Sequence, residues 1–361
     1  MAFAVGLGIA HGGGSHGDAL AARVRVELRA GYYRSLPPQV LALGSVPAML
    51  AALHDPYTEY LDPAAYRLIR GETGERYSGV GLTLWPVAGG LGVAAVPPGP
   101  AREAGLHPGD TILSIDGRTA AGLGFDEALG RILGPPGTSV ALRVRRGSEV
   151  RSVRLVRRRL AAPQIQFRLI EVSGRRVAYL RLASFRSGAA AAMTTLLRRL
   201  ERDRASAVVL DLRGNPGGLL SQAVAVSSLF LRDGTIVSIE GAHLSRVVYR
   251  ARPDRAVAPR LPLAVLVDRW SASSAEVVAA ALHDNARATL VGESTFGKGL
   301  VQTLRPLPNG GALKLTTARY LTPVGVDISG VGVVPDVMAY DDLATPGDDA
   351  LNAAIEVVTS R

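Results

Sequence analysis

Two short runs of the chain, Ala207–Leu212 and Leu263–Val267, are apolar at consecutive rather than alternate positions. A strand that is apolar on both faces has to be covered on both, which happens where helices pack on either side of a mostly parallel sheet. Each run opens into a glycine- or serine-rich turn and then a helical pattern, Leu219–Phe230 after the first and Ser274–Leu282 after the second. Further strand patterns stand at Val177–Leu182 and Ala288–Val291. A helical stretch, Gly188–Asp203, carries Met193, Leu196, Leu197 and Leu200 along one side. This alternation over residues 161–343 predicts a layered α/β core.

The rest of the 361 residues divides around that core. Residues 1–17 form an apolar, glycine-rich stub. Its apolar part, Ala2–Ala10, is too short for a spanning helix of about 20 residues, and no Arg or Lys precedes it as in a signal peptide. Residues 18–75 read as helical, with breaks at Pro37-Pro38 and a new start at Asp62-Pro63. Residues 76–160 read as a β-rich module. Its strands Val80–Leu84, Leu91–Val96 and Thr111–Ile115 are separated by Pro97-Pro98-Gly99, Pro108-Gly109-Asp110 and Asp116-Gly117, and one helix is expected at Phe125–Leu133. Residues 344–361 are predicted to end in a helix capped near Asp348.

Composition removes several classes. The chain has no cysteine, so a disulfide framework, a zinc–thiolate site and a cysteine nucleophile are excluded. The formal charge is +10, but Val140–Leu160 alone holds eight arginines against Glu149, which is +7. Val140, Leu142 and Val144 alternate with Ala141, Arg143 and Arg145, the pattern of a half-buried hairpin whose charges face water. No aromatic residues interleave with those arginines, which argues against nucleic acid. Of the 41 basic residues, 39 are arginine and two are lysine, Lys298 and Lys314. Each lysine therefore calls for a reason.

The candidate chemistry sits after the buried strands. Asp211-Leu212-Arg213-Gly214-Asn215-Pro216-Gly217-Gly218 is a strand running into a glycine turn, where ligands of open α/β sheets bind. Glycines there can present backbone N–H groups to a developing oxyanion. Trp270-Ser271-Ala272-Ser273-Ser274-Ala275-Glu276 follows the second buried strand. Ser273 and Glu276 have the Ser-x-x-Glu spacing of a capping box, so an N-cap role for Ser273 stands beside a nucleophilic one. Lys298 lies between two glycines in Phe296-Gly297-Lys298-Gly299. Arginine stays protonated, whereas a lysine in apolar surroundings can serve as a general base. Gln302 would reach Lys298 across one helical turn. An extended chain would hold the two about 13 Å apart, so a functional Gln302 predicts a turn here. Lys314, in Leu313-Lys314-Leu315-Thr316, reads as structural or exposed. Gly13-Gly14-Ser15-His16-Gly17 matches Gly-x-Ser-x-Gly without the strand that a nucleophile elbow needs. The six histidines show neither metal spacing nor a triad context.

Taken in order, Asp55–Leu61, Asp211–Gly218, Ser271–Glu276, Phe296–Gln302, Leu313–Tyr320 and Gly332–Asp336 resemble the C-terminal processing peptidases, also called tail-specific proteases. Residues 76–160 resemble a PDZ domain at Pro100-Ala101, Ala104-Gly105-Leu106, Pro108-Gly109-Asp110 and Ile115-Asp116-Gly117. The resemblance spans residues 20–340. It implies an α/β peptidase core with a PDZ domain and an N-terminal helical segment. It also implies a serine endopeptidase without cofactor or metal, in which Ser273 is the nucleophile, Lys298 the general base and Gln302 the residue that orients the lysine. The oxyanion hole would come from backbone N–H groups near Gly217, Gly218 and Ser274. Protein substrates would offer their C-terminal tails to Gly79-Val80-Gly81-Leu82, whose strand edge could pair with them. An extracytoplasmic or membrane-associated location is implied as well. Anchoring through the N-terminus and self-association stay open, and the alternative is an inactive PDZ scaffold on a peptidase fold. Two departures stand out. The family often has Ser-Ala-Ser-Ala-Ser-Glu where this chain has Ser-Ala-Ser-Ser-Ala-Glu. Leu133 stands where many members carry an arginine, which puts its coupling of tail binding to activation in doubt.

Overall fold

The computed structural model describes residues 14–71, 77–123, 125–160, 164–200, 202–340 and 347–360. Most of the 1–17 stub therefore lies outside the described residues. Ser15 falls within the first helix, α1 (Gly14–Gly31), so the Gly-x-Ser-x-Gly match does not sit on a strand-to-helix elbow.

After α1 come α2 (Pro38–Ala42), α3 (Val46–Ala51), β1 (Glu59–Leu61) and α4 (Pro63–Gly71). The PDZ module holds β2 (Tyr77–Gly79), β3 (Thr83–Val87), β4 (Gly90–Ala95), α5 (Pro100–Glu103), β5 (Thr111–Ile115), β6 (Arg118–Thr119), α6 (Phe125–Ile132), β7 (Ser139–Arg146), β8 (Glu149–Val156) and β9 (Arg158–Leu160). The core begins with β10 (Ile165–Val172), β11 (Arg175–Leu182), α7 (Ala189–Leu197), β12 (Ala207–Asp211), α8 (Leu220–Phe230), β13 (Thr235–Gly241) and β14 (Leu244–Arg250). It continues with β15 (Leu263–Val267), α9 (Ser274–Asp284), β16 (Thr289–Gly292), β17 (Leu300–Pro306), β18 (Ala312–Leu321), β19 (Val337–Met338) and α10 (Asp349–Thr359).

The central sheet runs β10-β11-β12-β15-β16-β19, parallel except for β10. Residues of β12 and β15 are buried throughout, as their unbroken apolar sequence requires. Met193, Val226, Phe230 and Val278 from α7, α8 and α9 cover one face of this sheet. Leu351, Ala354, Ile355 and Val358 of α10 cover the other. A second core sheet has the order β1-β18-β13-β14, with β17 on the free side of β18.

That second sheet corrects the reading of residues 18–75 as helical. β1 is a core strand, paired antiparallel with β18 from Glu59↔Lys314 to Leu61↔Ala312. Three residues are too few to show a period of two. Lys314 is structural: its Nζ lies 3.0 Å from Glu59 Oε1, and its side chain is 12% exposed.

The PDZ sheet runs β3-β4-β5-β7-β8 over a core that includes Val93, Ile112, Ala128 and Leu142. It meets the peptidase core at an aromatic cluster, in which Trp85 and Ala94 pack with Ala272, Trp270 and Phe296. Those core residues flank the two loops that carry Ser273 and Lys298.

Candidate active site

The Asp211–Gly218 turn and the Trp270–Ser274 turn leave neighbouring parallel strands, so they emerge side by side at the same end of the sheet. Asp268 joins them. Its partly buried carboxylate accepts from Gly214 N (2.9 Å) and Trp270 N (3.0 Å), and Ser271 Oγ lies 3.0 Å from the same oxygen. Ala272 N donates to Asn215 O at 3.0 Å, and Ser274 Oγ donates to Gly218 O at 2.9 Å. Gly217 has φ +96°, and a Cβ there would lie 2.9 Å from Ser273 Cβ and 3.0 Å from Ser274 N. At Gly218, with φ +141°, a Cβ would meet Phe185 O at 2.5 Å. Both positions therefore require glycine for space as well as for conformation.

Three serines occupy the second turn, and their surroundings differ. Ser271 is fully buried, and its Oγ donates to Leu212 O at 2.8 Å. Ser274 is fully buried and committed to Gly218. Ser273 is half-buried, at the N-cap of α9, with φ 55° and ψ −116°. A non-glycine residue in that region is strained, and such strain collects at functional sites where the surroundings hold it. Tyr320 of β18 lies near Ser273, and burial pushes its phenol up to about 12. The phenol stays protonated at neutral pH.

Glu276 supplies the clamp. Its fully buried carboxylate accepts from Ser273 N (2.7 Å), Lys298 N (2.9 Å), Gly297 N (2.7 Å) and Thr295 Oγ1 (2.6 Å). Burial pushes its pKa up, and the four hydrogen bonds oppose that push. The capping-box spacing placed Glu276 at the first turn of α9. Sequence gave no sign that it would also hold the backbone of the lysine loop.

The Lys298 ammonium lies over two aromatic faces, 5.1 Å from the Tyr57 ring centroid and 5.9 Å from that of Trp85. Trp85 in turn stacks on Phe296 at 4.6 Å. Tyr57 is positioned by the Asp55–Leu61 segment. Asp55 caps it through Tyr57 N (2.9 Å) and Thr58 Oγ1 (2.7 Å), and Thr58 bonds Thr316 of β18. Aromatic faces favour a cation above them. The lysine loop is thus bordered by the N-terminal region, the PDZ domain and the core at once.

Three expectations change here. The turn expected at Gln302 is absent: Gln302 is in β17, which is extended, with a register shift against β18 between Val301 and Gln302. Its Nε2 is buried without a hydrogen-bond partner among the described residues. Second, the Gly217 N–H is already donated to Asn215 Oδ1 at 2.8 Å. The Gly218 and Ser274 N–H groups have no partner among the described residues. Third, Gly79–Leu82 is not one open strand edge. Gly79 pairs with Arg158 in β9, and Val80 O accepts from Ala101 N at 2.8 Å. The strand at the edge of the PDZ sheet is the next one, β3, beside α6. Trp85 of β3 faces Phe125 of α6 across 6.2 Å.

Among the described residues there is no cluster of three or more His, Asp or Glu that could hold a metal, and no helix is long and apolar enough to cross a membrane. A strained serine at a helix N-terminus, two unengaged backbone N–H groups beside it and a lysine on the adjoining loop define the class of site used by serine hydrolases.

The profile of Peptidase family S41 matches residues 176–339, and that of the PDZ domain matches residues 92–146. A carboxyl-terminal-processing protease of Picosynechococcus is 37% identical over 337 residues, covering 90% of this chain and 81% of that one. The chloroplastic carboxyl-terminal-processing peptidase 2 of Arabidopsis thaliana is also 37% identical, over 81% of this chain and 59% of its own length. The carboxy-terminal processing protease CtpA of Bacillus subtilis is 34% identical over 87% and 67%. A solved photosystem II D1 C-terminal processing protease superposes with a TM-score of 0.80 at 29% identity, covering 95% of this chain and 96% of that one. The chain belongs to the carboxyl-terminal-processing proteases, the PDZ-bearing serine peptidases of family S41.

Proposed function

We propose that this chain hydrolyses peptide bonds near the C-termini of protein substrates, with Ser273 as nucleophile and Lys298 as general base, after its PDZ domain has received the substrate's tail. The observation that carries the reading is the Glu276 clamp, which ties the backbone of the one half-exposed serine of the turn to the backbone of Lys298. Neutral Lys298 takes the Ser273 Oγ proton as Oγ attacks the scissile carbonyl. The N–H groups of Gly218 and Ser274 receive the oxyanion. The lysine then protonates the leaving amine, and water releases the acyl group by the reverse proton path. Gln302 could support the lysine only if the Lys298 loop moved toward it, because it lies in extended β17, where its Nε2 is buried without a partner among the described residues. The tail would add to the free edge of β3, next to Gly79–Leu82. An extracytoplasmic location, implied by the family resemblance, is part of the same proposal.

Cleavage of a tagged protein substrate, tail-peptide binding and labelling by a fluorophosphonate serine probe test this. Ser273→Ala and Lys298→Arg should each abolish cleavage while tail binding survives. Cleavage retained in Lys298→Arg would refute the base assignment, since the charge is kept and the base lost. A wild-type Ser273 unreactive toward the probe, with tail binding intact, would favour the inactive scaffold instead.

A further inference from the structure

Seven of the eight arginines between Val140 and Leu160 separate into two groups, while Arg159 stands on β9 opposite Ser78. Arg146 pairs with Asp110 (2.6 Å), Arg158 pairs with Glu103, Arg151 donates to Gly105 O, and buried Arg157 donates to Ile132 O, Arg131 O and Ser139 O. These four are structural. Arg143, Arg145 and Arg154 are exposed and have no ion pair among the described residues; Arg154 makes one long bond, 3.4 Å, to Ser139 Oγ.

Register places those three on one face. Val140, Leu142, Val144 and Leu155 point into the PDZ core. Alternation therefore turns Ser139, Ala141, Arg143, Arg145, Val150, Ser152, Arg154 and Val156 outward. Across the strands, Ala141 faces Arg154, Arg143 faces Ser152 and Ser114, and Arg145 faces Val150 and Thr111. No arginine lies directly opposite another, but Arg143 is the diagonal neighbour of Arg154 and two residues from Arg145. Diagonal neighbours are about 7–8 Å apart. These ten positions hold three guanidinium groups, four hydroxyl side chains and no acid. Asp116 stands at the border, where its Oδ1 accepts Ala141 N at 2.8 Å. Val150 and Val156 are 41% and 50% exposed within the face.

We infer that the outer face of β5, β7 and β8 is a docking surface for an anionic lipid bilayer. Unpaired like charges on neighbouring strands call for counter-charge from outside. Guanidinium forks interleaved with hydroxyls match phosphate and carboxylate oxygens. Exposed valines beside the cations suit the boundary between headgroups and acyl chains. A nucleic acid would want aromatic platforms, and the face has none. Binding through it would hold the PDZ domain at the membrane surface with its β3 edge, at the opposite end of the sheet, free.

The test is flotation of the full chain with phosphatidylcholine vesicles, with and without phosphatidylserine. Wild type should float with the anionic vesicles alone and be released as salt rises. Replacing Arg143, Arg145 and Arg154 together by serine should weaken that binding on the order of 100-fold, about fivefold per arginine. Their replacement by lysine should keep it. Serine at Arg252, Arg255 and Arg260, an equal charge change elsewhere, should leave it intact. Cleavage of a soluble peptide should be unchanged in all three variants. The inference fails if the serine variant floats like wild type, or if the distant variant loses as much. It also fails if wild type ignores anionic vesicles while binding an acidic polypeptide such as polyglutamate.

Discussion

Glu276 offers the sharpest test of how the site is built. Glu276→Gln keeps the size and shape of the side chain but replaces one accepting oxygen with an NH2 group. If that group takes the Oε2 position, it faces the N–H groups of Ser273 and Lys298. If it takes Oε1, it faces Thr295 Oγ1 and Gly297 N. The first orientation loses two hydrogen bonds to a charged acceptor, whereas the second loses that of Gly297 N, because the Thr295 hydroxyl can turn to accept from the amide; at about 1.5–3 kcal/mol each the cost is at least about 1.5–3 kcal/mol. That is a large share of the roughly 5–15 kcal/mol that holds a folded domain. Urea unfolding followed by tryptophan fluorescence measures it, because both tryptophans, Trp85 and Trp270, lie in the cluster where the PDZ domain meets the catalytic loops. The midpoint should fall sharply. Below the transition, labelling of Ser273 by a fluorophosphonate probe should fall as well, since the serine and lysine loops are no longer joined. A Gln variant within about 0.5 kcal/mol of wild type, labelled at the wild-type rate, would refute the clamp, because substitutions away from special features fall in that range.

Other outcomes follow from the charged groups around the core. Arg213, on the Asp211–Gly218 turn, is clamped by Asp211 (2.7 Å) and by both oxygens of Asp348 (2.8 Å each), the N-cap of α10. Asp348→Asn should cost about 1–3 kcal/mol in urea unfolding and lower kcat more than it raises KM, as the turn loses its brace from the C-terminal helix. Burial alone would raise the Asp110 pKa, but Arg146 and the His107 N–H outweigh it and hold it low. Its contribution is therefore present above the unfolded value near 3.9 and is lost as pH falls through the lower folded one. Asp110→Asn should flatten that acid limb in thermal melts. His283 is raised, chiefly by its hydrogen bond to Asp284, with Asp336 on its other nitrogen. Its contribution is complete below about 6.5 and lost as pH rises through the higher folded value, a loss that His283→Ala should remove.

What sequence could show depended on the length of each pattern. β12 and β15, with the turns and helices after them, are visible because an unbroken apolar strand has few places to go. The three serines of the 271–274 turn are visible as a set, and the resemblance selects Ser273. Burial of Ser271 and Ser274 gives a physical reason for the same choice. β1 is too short to show a period, and the β13–β14 hairpin, whose second strand is largely exposed, carries little apolar contrast. The Gln302 turn failed because i to i+4 adjacency is a property of helices, and the glycines around Lys298 say nothing about the conformation that follows. The aromatic setting of Lys298 joins Tyr57, Trp85 and Phe296 from three separate segments. No local period encodes such a meeting.

The scarcity of lysine turns out to have two different physical grounds. Lys314 stands opposite Glu59 in register, in a nearly closed space where β1 meets β18, with its Nζ 3.0 Å from Glu59 Oε1. A compact ammonium fits that narrow space, whereas the planar fork of a guanidinium is larger and fixed in shape. The backbone of Lys298 is tied through Glu276 to that of the strained Ser273, and its ammonium lies over aromatic faces that suit a cation. Arginine would suit those faces equally well. The aromatic setting therefore does not explain why lysine is used. Under the proposed general-base role, the ability to lose a proton would explain it. Because Trp85 belongs to β3, the strand whose free edge is proposed to take the tail, the residue that favours the charged lysine sits within the element that a substrate would engage first.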